Sequence, residues 1–211
     1  MINVVIADDH PLVREGIKEI LRKEIDIEVT NEASNGSELL DILHAQLPDI
    51  LVLDMSMPGK SGFKLIKEIN HLYEDVPILV LSVHPIERFA VRAYKAGVSG
   101  YLHKTSISDE LPRAIRKIVC QKRKYIPPEA AEQMALQIKN SSNRPMHESL
   151  SDREFQVLCM IAEGKEVSEI AKELSLSPHT IHTYRSRIKE KLNLKSNVEM
   201  TRYAIENNLI T

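Results

Sequence analysis

The sequence lacks the features that mark membrane and secreted proteins. No apolar run approaches the roughly 20 residues that a membrane-spanning helix requires. The N-terminus has no basic segment and turns acidic at Asp8-Asp9, which argues against a signal peptide. The two cysteines, Cys120 and Cys159, are too far apart in sequence to form a metal-binding or redox motif. We therefore expect a protein of a reducing, cytoplasmic setting.

A global excess of basic charge, which would indicate nucleic acid binding, is also absent. The 211 residues carry a formal net charge of -2, with an ordinary content of hydrophobic and charged residues. Residues 1–121 hold four more acidic than basic side chains, whereas residues 122–211 hold two more basic than acidic ones. The tract 185–195 has five basic residues against Glu190 alone. A charge run is usually a solvated face, so its position on a helix decides its meaning.

The first 121 residues alternate between short apolar runs and patterns of helical spacing. This alternation predicts five strands, each followed by a helix, and hence a parallel sheet with right-handed crossovers and helices on both faces. The apolar face predicted for the first helix consists of Leu12, Val13, Ile17, Ile20 and Leu21. The predicted strands are residues 4–7, 27–33, 50–53, 77–81 and 100–103.

Polar residues stand at the ends of four of these strands. They are Asp8-Asp9, Asp54, Ser82 and Lys104. Parallel strands bring their carboxyl ends to one edge, where open α/β sheets bind ligands. Oxygen ligands of this kind suit Mg²⁺, and an aspartate beside Mg²⁺ can attack phosphorus to form an aspartyl phosphate. The alternative is that each polar residue simply ends its strand or caps the loop that follows.

These residues resemble the receiver domain of two-component signalling. The resemblance covers Asp8-Asp9, Asp54, Met57-Pro58-Gly59, Ser82, Tyr101 and Lys104. It implies a flavodoxin-like domain in which Asp54 accepts a phosphoryl group from a histidine kinase. It also implies that Asp8, Asp9, Asp54 and the carbonyl of Ser56 hold Mg²⁺, that Ser82 and Lys104 bind phosphoryl oxygens, and that the ring of Tyr101 turns inward when Ser82 moves.

The sequence departs from the receiver pattern after Lys104. Many receivers have proline there, whereas this chain has Thr105. A cis peptide at this bond is therefore not expected, because cis bonds largely require proline.

A linker is predicted between the two halves of the chain. Pro127-Pro128 can begin a short helix, and residues 139–145 are rich in turn-forming residues without an apolar period. We interpret residues 139–145 as a mobile tether; the alternative is an ordered loop within one larger domain. The predicted domains are a receiver over residues 1–121, a linker with a short helix over 122–147, and a DNA-binding domain over 148–211.

The second half has the pattern of an all-α domain. Ser151 and Glu154 form a capping box, and Ser177-Pro178 begins the longest predicted helix. A short helix followed by a longer basic one is the helix-turn-helix arrangement. In the longer helix the apolar residues face one side, and polar residues flanked by cations face the other, as a helix in a major groove requires. The alternative is an ordinary amphipathic helix with a solvated basic face.

Residues 150–209 resemble the LuxR-type helix-turn-helix. The match runs through Leu150-Ser151-Asp152-Arg153-Glu154, Ala162-Glu163-Gly164, Glu169-Ile170-Ala171, Leu174, Ser177, Thr180-Ile181 and Lys191-Leu192. It implies base contacts from His182, Thr183 and Ser186, and phosphate contacts from Thr180, Arg185, Arg187 and Lys189. The final helix resembles the one through which such domains dimerise. His182 and Tyr184 depart from the common residues, so the operator cannot be copied from relatives.

Together the two halves resemble a NarL/FixJ-type response regulator. The resemblance implies a transcription factor, not an enzyme, that is phosphorylated on Asp54 by a sensor histidine kinase, dimerises, and binds double-stranded promoter DNA without contacting a membrane. One alternative is a regulator that works without phosphorylation. Another is an Asp-nucleophile phosphohydrolase, but such enzymes need a second Asp two residues on, where this chain has Ser56.

Overall fold

The computed structural model describes residues 1–57, 62–83, 86–139, 146–207 and 209–210. The chain forms two compact units, Met1–Ile138 and Lys139–Thr211. Part of the receiver motif, Pro58-Gly59, and most of the predicted tether, residues 140–145, lie outside the described residues.

A five-stranded parallel sheet forms the centre of the first unit, as predicted. The strand order is β2-β1-β3-β4-β5, so β1, β3 and β4 are internal. Every residue of β3 and β4 is buried, which explains why their sequences are continuous apolar runs. Asp54 pairs with Leu81, and Ser82 with His103, so the carboxyl ends of neighbouring strands meet at one edge. The strands are β1 (Ile2–Ala7), β2 (Ile27–Ala33), β3 (Ile50–Asp54), β4 (Ile78–Ser82) and β5 (Gly100–His103).

Five helices alternate with the strands. Pro11 opens the first, and the Asn35 side chain caps the second by accepting hydrogen bonds from two backbone N–H groups. The helices are α1 (Pro11–Leu21), α2 (Gly36–Ala45), α3 (Gly62–Leu72), α4 (Ile86–Lys95) and α5 (Ile107–Val119), the last preceded by a 3-10 turn, Lys104–Ser106.

One predicted core residue of α1 was placed wrongly. Leu12 is 85% exposed, whereas Ile17 and Leu21 are buried. Leu12 lies five residues before Ile17, which is about 140° around the helix, so the two side chains cannot share a face. The apolar character of Leu12 indicated burial, but the helical phase decides it.

The first unit extends beyond residue 121, where the sequence prediction ended the receiver. Tyr125 forms a parallel bridge with Gly100 at the edge of the sheet, and its carbonyl accepts a hydrogen bond from the hydroxyl of Tyr94. Ala130, in the next helix α6 (Pro128–Lys139), is fully buried. Residues 122–138 are therefore packed on the first unit, although their polar, proline-containing sequence resembles a linker.

The second unit is helical, as predicted. Ser151 and Glu154 form the expected reciprocal capping box, and the buried Glu154 carboxylate also lies 2.6 Å from Lys191 Nζ. The Ser177 side chain caps the longest helix. The elements of the second unit are a 3-10 turn (Met146–Ser149), α7 (Asp152–Ala162), α8 (Val167–Glu173), α9 (Pro178–Leu192) and α10 (Asn197–Glu206).

Among the described residues, no helix combines the length and the apolar character needed to cross a membrane.

Candidate functional site

Three carboxylates converge at the edge formed by the carboxyl ends of β1 and β3. Asp8 and Asp54 are each 1% exposed, and Asp9 is half-buried. One potential ligand atom from each of Asp8, Asp9, His10 and Asp54 lies within 4.8 Å of the others. The structure therefore brings Asp54 to the adjacent pair Asp8-Asp9, from which it lies 45 positions or more away in sequence.

Lys104 lies against this cluster. Its Nζ is 2.7 Å from Asp8 Oδ2 and 3.0 Å from Asp54 Oδ2. Burial raises the pKa of Asp54, and the Lys104 charge offsets this only in part. Burial lowers the pKa of Lys104, but the nearby carboxylates outweigh burial and raise it above its usual value. The lysine therefore stays protonated and supplies one positive charge to several carboxylates.

The carboxylates retain unsatisfied oxygens that fit a divalent cation. Asp54 Oδ1 accepts a hydrogen bond from the Ser56 N–H at 3.0 Å, whereas Oδ2, although close to Lys104, lacks hydrogen-bond geometry. Asp9 Oδ1 is likewise buried without a hydrogen bond. Buried carboxylate oxygens are costly unless a cation or donor meets them. An all-oxygen set with waters completing the shell suits Mg²⁺.

Ser82 lies on β4, which pairs with the strand that carries Asp54, and Tyr101 lies on β5, one strand further along the sheet. Ser82 ends β4 one residue beyond the partner of Asp54, and it is fully buried. Tyr101, on β5, is also fully buried. The ring that the receiver resemblance expects to turn inward is therefore already enclosed in this structure.

The turn after Lys104 differs from the usual receiver pattern in the way the sequence predicted. No cis peptide bond occurs among the described residues. Instead, the backbone forms a 3-10 turn whose N-cap is His103.

His10 is a site residue that the sequence analysis missed. Its Nδ1 lies 3.2 Å from Asp8 Oδ1 and 3.0 Å from Asp9 Oδ1. Its ring is largely exposed, at the mouth of the cluster. The signal was available in the sequence, since His10 directly follows Asp8-Asp9 and its imidazole is a common metal and carboxylate partner.

The predicted DNA-contacting residues lie on α9, in the second unit. The opposite side of this helix is fixed by the buried residues Ile181, Ile188 and Leu192. The hydroxyls of Thr183 and Ser186 donate to carbonyls one turn earlier in the same helix. The exposed members of the predicted set are His182, Ser186 and Arg187, and the half-buried members are Thr180, Thr183, Arg185 and Lys189.

Comparison with family models matches both units. Residues 4–116 match the response regulator receiver domain, and residues 148–204 match the bacterial regulatory proteins of the luxR family. The receiver match alone covers more than half of the chain. The chain belongs to the response regulators. This response regulator joins a receiver domain to a LuxR-type helix-turn-helix DNA-binding domain, as the sequence predicted.

Two response regulators align with this chain over nearly its whole length and theirs. The response regulator UvrY of Escherichia coli K12 is 40% identical over 210 residues, covering 99% of this chain and 96% of UvrY. The response regulator GacA of Pseudomonas aeruginosa is 35% identical over 211 residues, covering 100% of this chain and 98% of GacA.

Solved structures of RcsB resemble this response regulator over nearly its whole length. RcsB from Salmonella enterica serovar Typhimurium, bound to the promoter rprA in the presence of the phosphomimetic BeF3⁻, is 28% identical with a TM-score of 0.64. The comparison covers 96% of this chain and 97% of that one. An RcsB–DNA complex gives a TM-score of 0.60 at 28% identity, covering 96% of each chain.

Proposed function

We propose that this response regulator is phosphorylated on Asp54 by a sensor histidine kinase. The observation that carries the proposal is the Asp54 carboxylate, buried at a strand end with Oδ2 unsatisfied and the Lys104 ammonium 3.0 Å away. A carboxylate oxygen of Asp54 attacks phosphorus while the P–N bond to the donor histidine breaks, and the imidazole leaves with the electron pair. Ser82 donates a hydrogen bond to one phosphoryl oxygen, and Lys104 pairs with another.

We propose that Asp8, Asp9, Asp54 and the Ser56 carbonyl hold Mg²⁺ in the reaction. Bound there, the ion neutralises charge on the phosphoryl oxygens. His10 lies close enough to the two N-terminal carboxylates to orient them. Lys104 supplies a second positive charge. Mg²⁺ and Lys104 together would compensate the negative charge of the carboxylates and of the phosphoryl oxygens.

The output that we propose is regulated binding to double-stranded promoter DNA. Phosphorylation moves Ser82 and the buried Tyr101, and the altered receiver surface promotes a homodimer. Two weakly binding domains joined in a dimer gain affinity through effective concentration, so dimerisation is itself a strong switch. Solved complexes in which RcsB is bound to DNA, including two RcsB dimers on two DNAs, support this output.

On α9 we propose a division of labour between base and phosphate contacts. His182, Thr183 and Ser186 lie along the middle of the outward face and meet base edges. The phosphate contacts come from Thr180, Arg185, Arg187 and Lys189. The proposal is supported by the exposed or half-buried state of all these side chains and by the buried residues on the opposite side of the helix.

We propose a cytoplasmic location, where the protein can reach both the kinase domain and the promoter. The free Cys120 and Cys159 fit a reducing compartment.

We also propose that the protein turns over no substrate beyond slow loss of its own phosphoryl group. Ser56 occupies the position where an Asp-nucleophile phosphohydrolase needs an acid/base.

The limits that we propose for the functional domains are residues 1–121, 122–147 and 148–211. The first compact unit extends further than the first of these domains, to residue 138.

Substitution of Asp54 by asparagine tests the proposal. With Mg²⁺ and acetyl phosphate, we expect Asp54→Asn to reduce phosphorylation more than 100-fold, on the scale of removing a nucleophile. Asp41→Asn, at an exposed position on α2, is the matched control and retains phosphorylation. Phosphoprotein is measured on a phosphate-affinity gel.

DNA binding is then titrated with and without the phosphodonor at several salt concentrations. Tighter binding after phosphorylation of the wild type, absent in Asp54→Asn, supports the whole pathway. Equal binding in both states indicates a regulator that works without phosphorylation. Phosphorylation that persists in Asp54→Asn contradicts the assignment of the acceptor.

A further inference from the structure

The imidazole of His103 connects the two loops that carry the proposed phosphoryl ligands. His103 ends β5, directly before Lys104, and pairs with Ser82 in the last register position of the β4–β5 ladder. Val83 follows Ser82 and begins the loop after β4. The β4–β5 ladder ends at the Ser82–His103 pair, so a side-chain connection at this point can tie together the two segments that follow.

His103 makes contacts on both sides of this point. Its Nε2 lies 3.0 Å from the Val83 carbonyl oxygen. Its Nδ1 lies 2.7 Å from Thr105 Oγ1 and 3.4 Å from the Thr105 backbone nitrogen. A carbonyl oxygen can only accept, so Nε2 carries the hydrogen and donates it to Val83. Nδ1 is then an acceptor for the hydroxyl and N–H of Thr105, and one neutral tautomer satisfies all three contacts.

We propose that His103 is a positioning residue for phosphoryl transfer to Asp54. It ties the loop after Ser82 to the turn that carries Lys104, and so holds the two phosphoryl ligands at the spacing that the transferred group requires. The inference rests on the proposed phosphorylation of Asp54. Preorganised groups contribute to rate only while their geometry is maintained, and a displacement of about 1 Å can cost about 100-fold.

The residue after Lys104 is part of the same connection. The N–H and hydroxyl of Thr105 both point to His103 Nδ1. A proline here would provide neither group, because it has no backbone N–H and no hydroxyl. The departure of this sequence from the common receiver pattern at Thr105 therefore supplies the partner that fixes the His103 ring.

Two substitutions separate the halves of the connection. In His103→Gln the amide nitrogen takes the place of Nε2 and can donate to the Val83 carbonyl. In His103→Asn the shorter side chain can cap the turn at Thr105, as asparagine commonly does, but cannot reach Val83. The experiment measures the phosphorylation rate of the full chain by acetyl phosphate at saturating Mg²⁺, together with the thermal unfolding midpoint.

We expect His103→Asn to be slowed about tenfold and His103→Gln to stay within about threefold of the wild type. Stability should rank the other way, because asparagine is the better cap. A role limited to stability would give rates that follow the unfolding midpoints. Equal rates in all three proteins, or a fast Asn variant with a slow Gln variant, would overturn the inference while leaving Asp54 as the acceptor. A wild type that is not phosphorylated at all would overturn both proposals.

Discussion

The acidic site of the receiver and the outward face of α9 place charge in opposite environments. Asp8 and Asp54 are buried at the ends of internal strands, and Lys104 closes against them. On α9, Arg187 and His182 are exposed, and water reaches them before any ligand does. One site therefore concentrates its chemistry in a few buried groups, whereas the other spreads it over several exposed or half-buried ones.

The difference determines how each site responds to change. Charges in a buried site interact strongly and are weakly screened, so loss of one leaves the others uncompensated. Exposed cations interact weakly with one another, and salt screens them. We therefore expect substitutions in the acidic site to have large, coupled effects, and substitutions on α9 to have small, nearly additive ones.

Removal of Lys104 gives the largest expected effect on stability. Lys104→Ala leaves Asp8 and Asp54 without their cation, so we expect the metal-free receiver to lose about 3 kcal/mol in free energy of unfolding, as for a broken buried pair. Phosphorylation by acetyl phosphate should fall about 100-fold, because one phosphoryl ligand is gone. Urea unfolding without Mg²⁺ measures the free energy of unfolding, and phosphate-affinity gels measure phosphorylation.

Mg²⁺ sharpens this test. Because the cation would compensate the same carboxylates, we expect saturating Mg²⁺ to stabilise Lys104→Ala more than the wild type. Lys64→Ala, at an exposed position on α3, is the control that should change neither quantity. A Lys104 variant as stable as the wild type without metal would show that the buried carboxylates are protonated instead.

The second unit also contains a buried charge, Glu154. It tests whether the burial of a charged group, and not the domain that carries it, determines how much a substitution destabilises the protein. Glu154 and Glu169 are each the third residue of a helix and the carboxylate of its capping box. Glu154 is buried and paired with Lys191, whereas Glu169 is exposed. Glutamine can maintain either box. We expect Glu154→Gln to cost about 2 kcal/mol through loss of the charged hydrogen bond, and Glu169→Gln less than about 0.5 kcal/mol. Thermal unfolding measures both.

The ion pair between Glu154 and Lys191 predicts that stability depends on pH in the acid range. Burial opposes ionisation of Glu154, but Lys191 and Ser151 outweigh it and hold its pKa below the usual value. A lowered pKa in the folded state gives stability that is present above the unfolded pKa and is lost as pH falls through the folded one. The difference between wild type and Glu154→Gln should therefore shrink below about pH 4. A difference that is constant from pH 7 to pH 3 would contradict the ion pair.

The sequence predicted best what depends on local pattern. The strand ends that carry Asp54, Ser82 and Lys104 could be read from apolar runs and their flanking polar residues, and so could the caps Ser151 and Ser177. The packing of residues 122–138 could not, because Tyr125 joins the sheet through a contact with Gly100 that no local pattern encodes. The bridging role of His103 was missed for the same reason, since Val83 lies 20 residues away and meets it only through strand pairing.

Substitutions on α9 give the smallest expected effects. They can distinguish contacts to DNA phosphates from contacts to bases. Arg187→Gln removes one proposed phosphate contact, so we expect binding to weaken similarly on all DNA sequences, and the slope of log affinity against log salt to fall by about 1. His182→Ala removes a proposed base contact, so the loss, about 1–2 kcal/mol, should depend on the sequence and leave the slope unchanged. Fluorescence anisotropy with specific and scrambled duplexes at several salt concentrations measures both. If both variants changed the salt slope equally, His182 would be a phosphate contact, and the central part of the face would carry less sequence information than its position indicates.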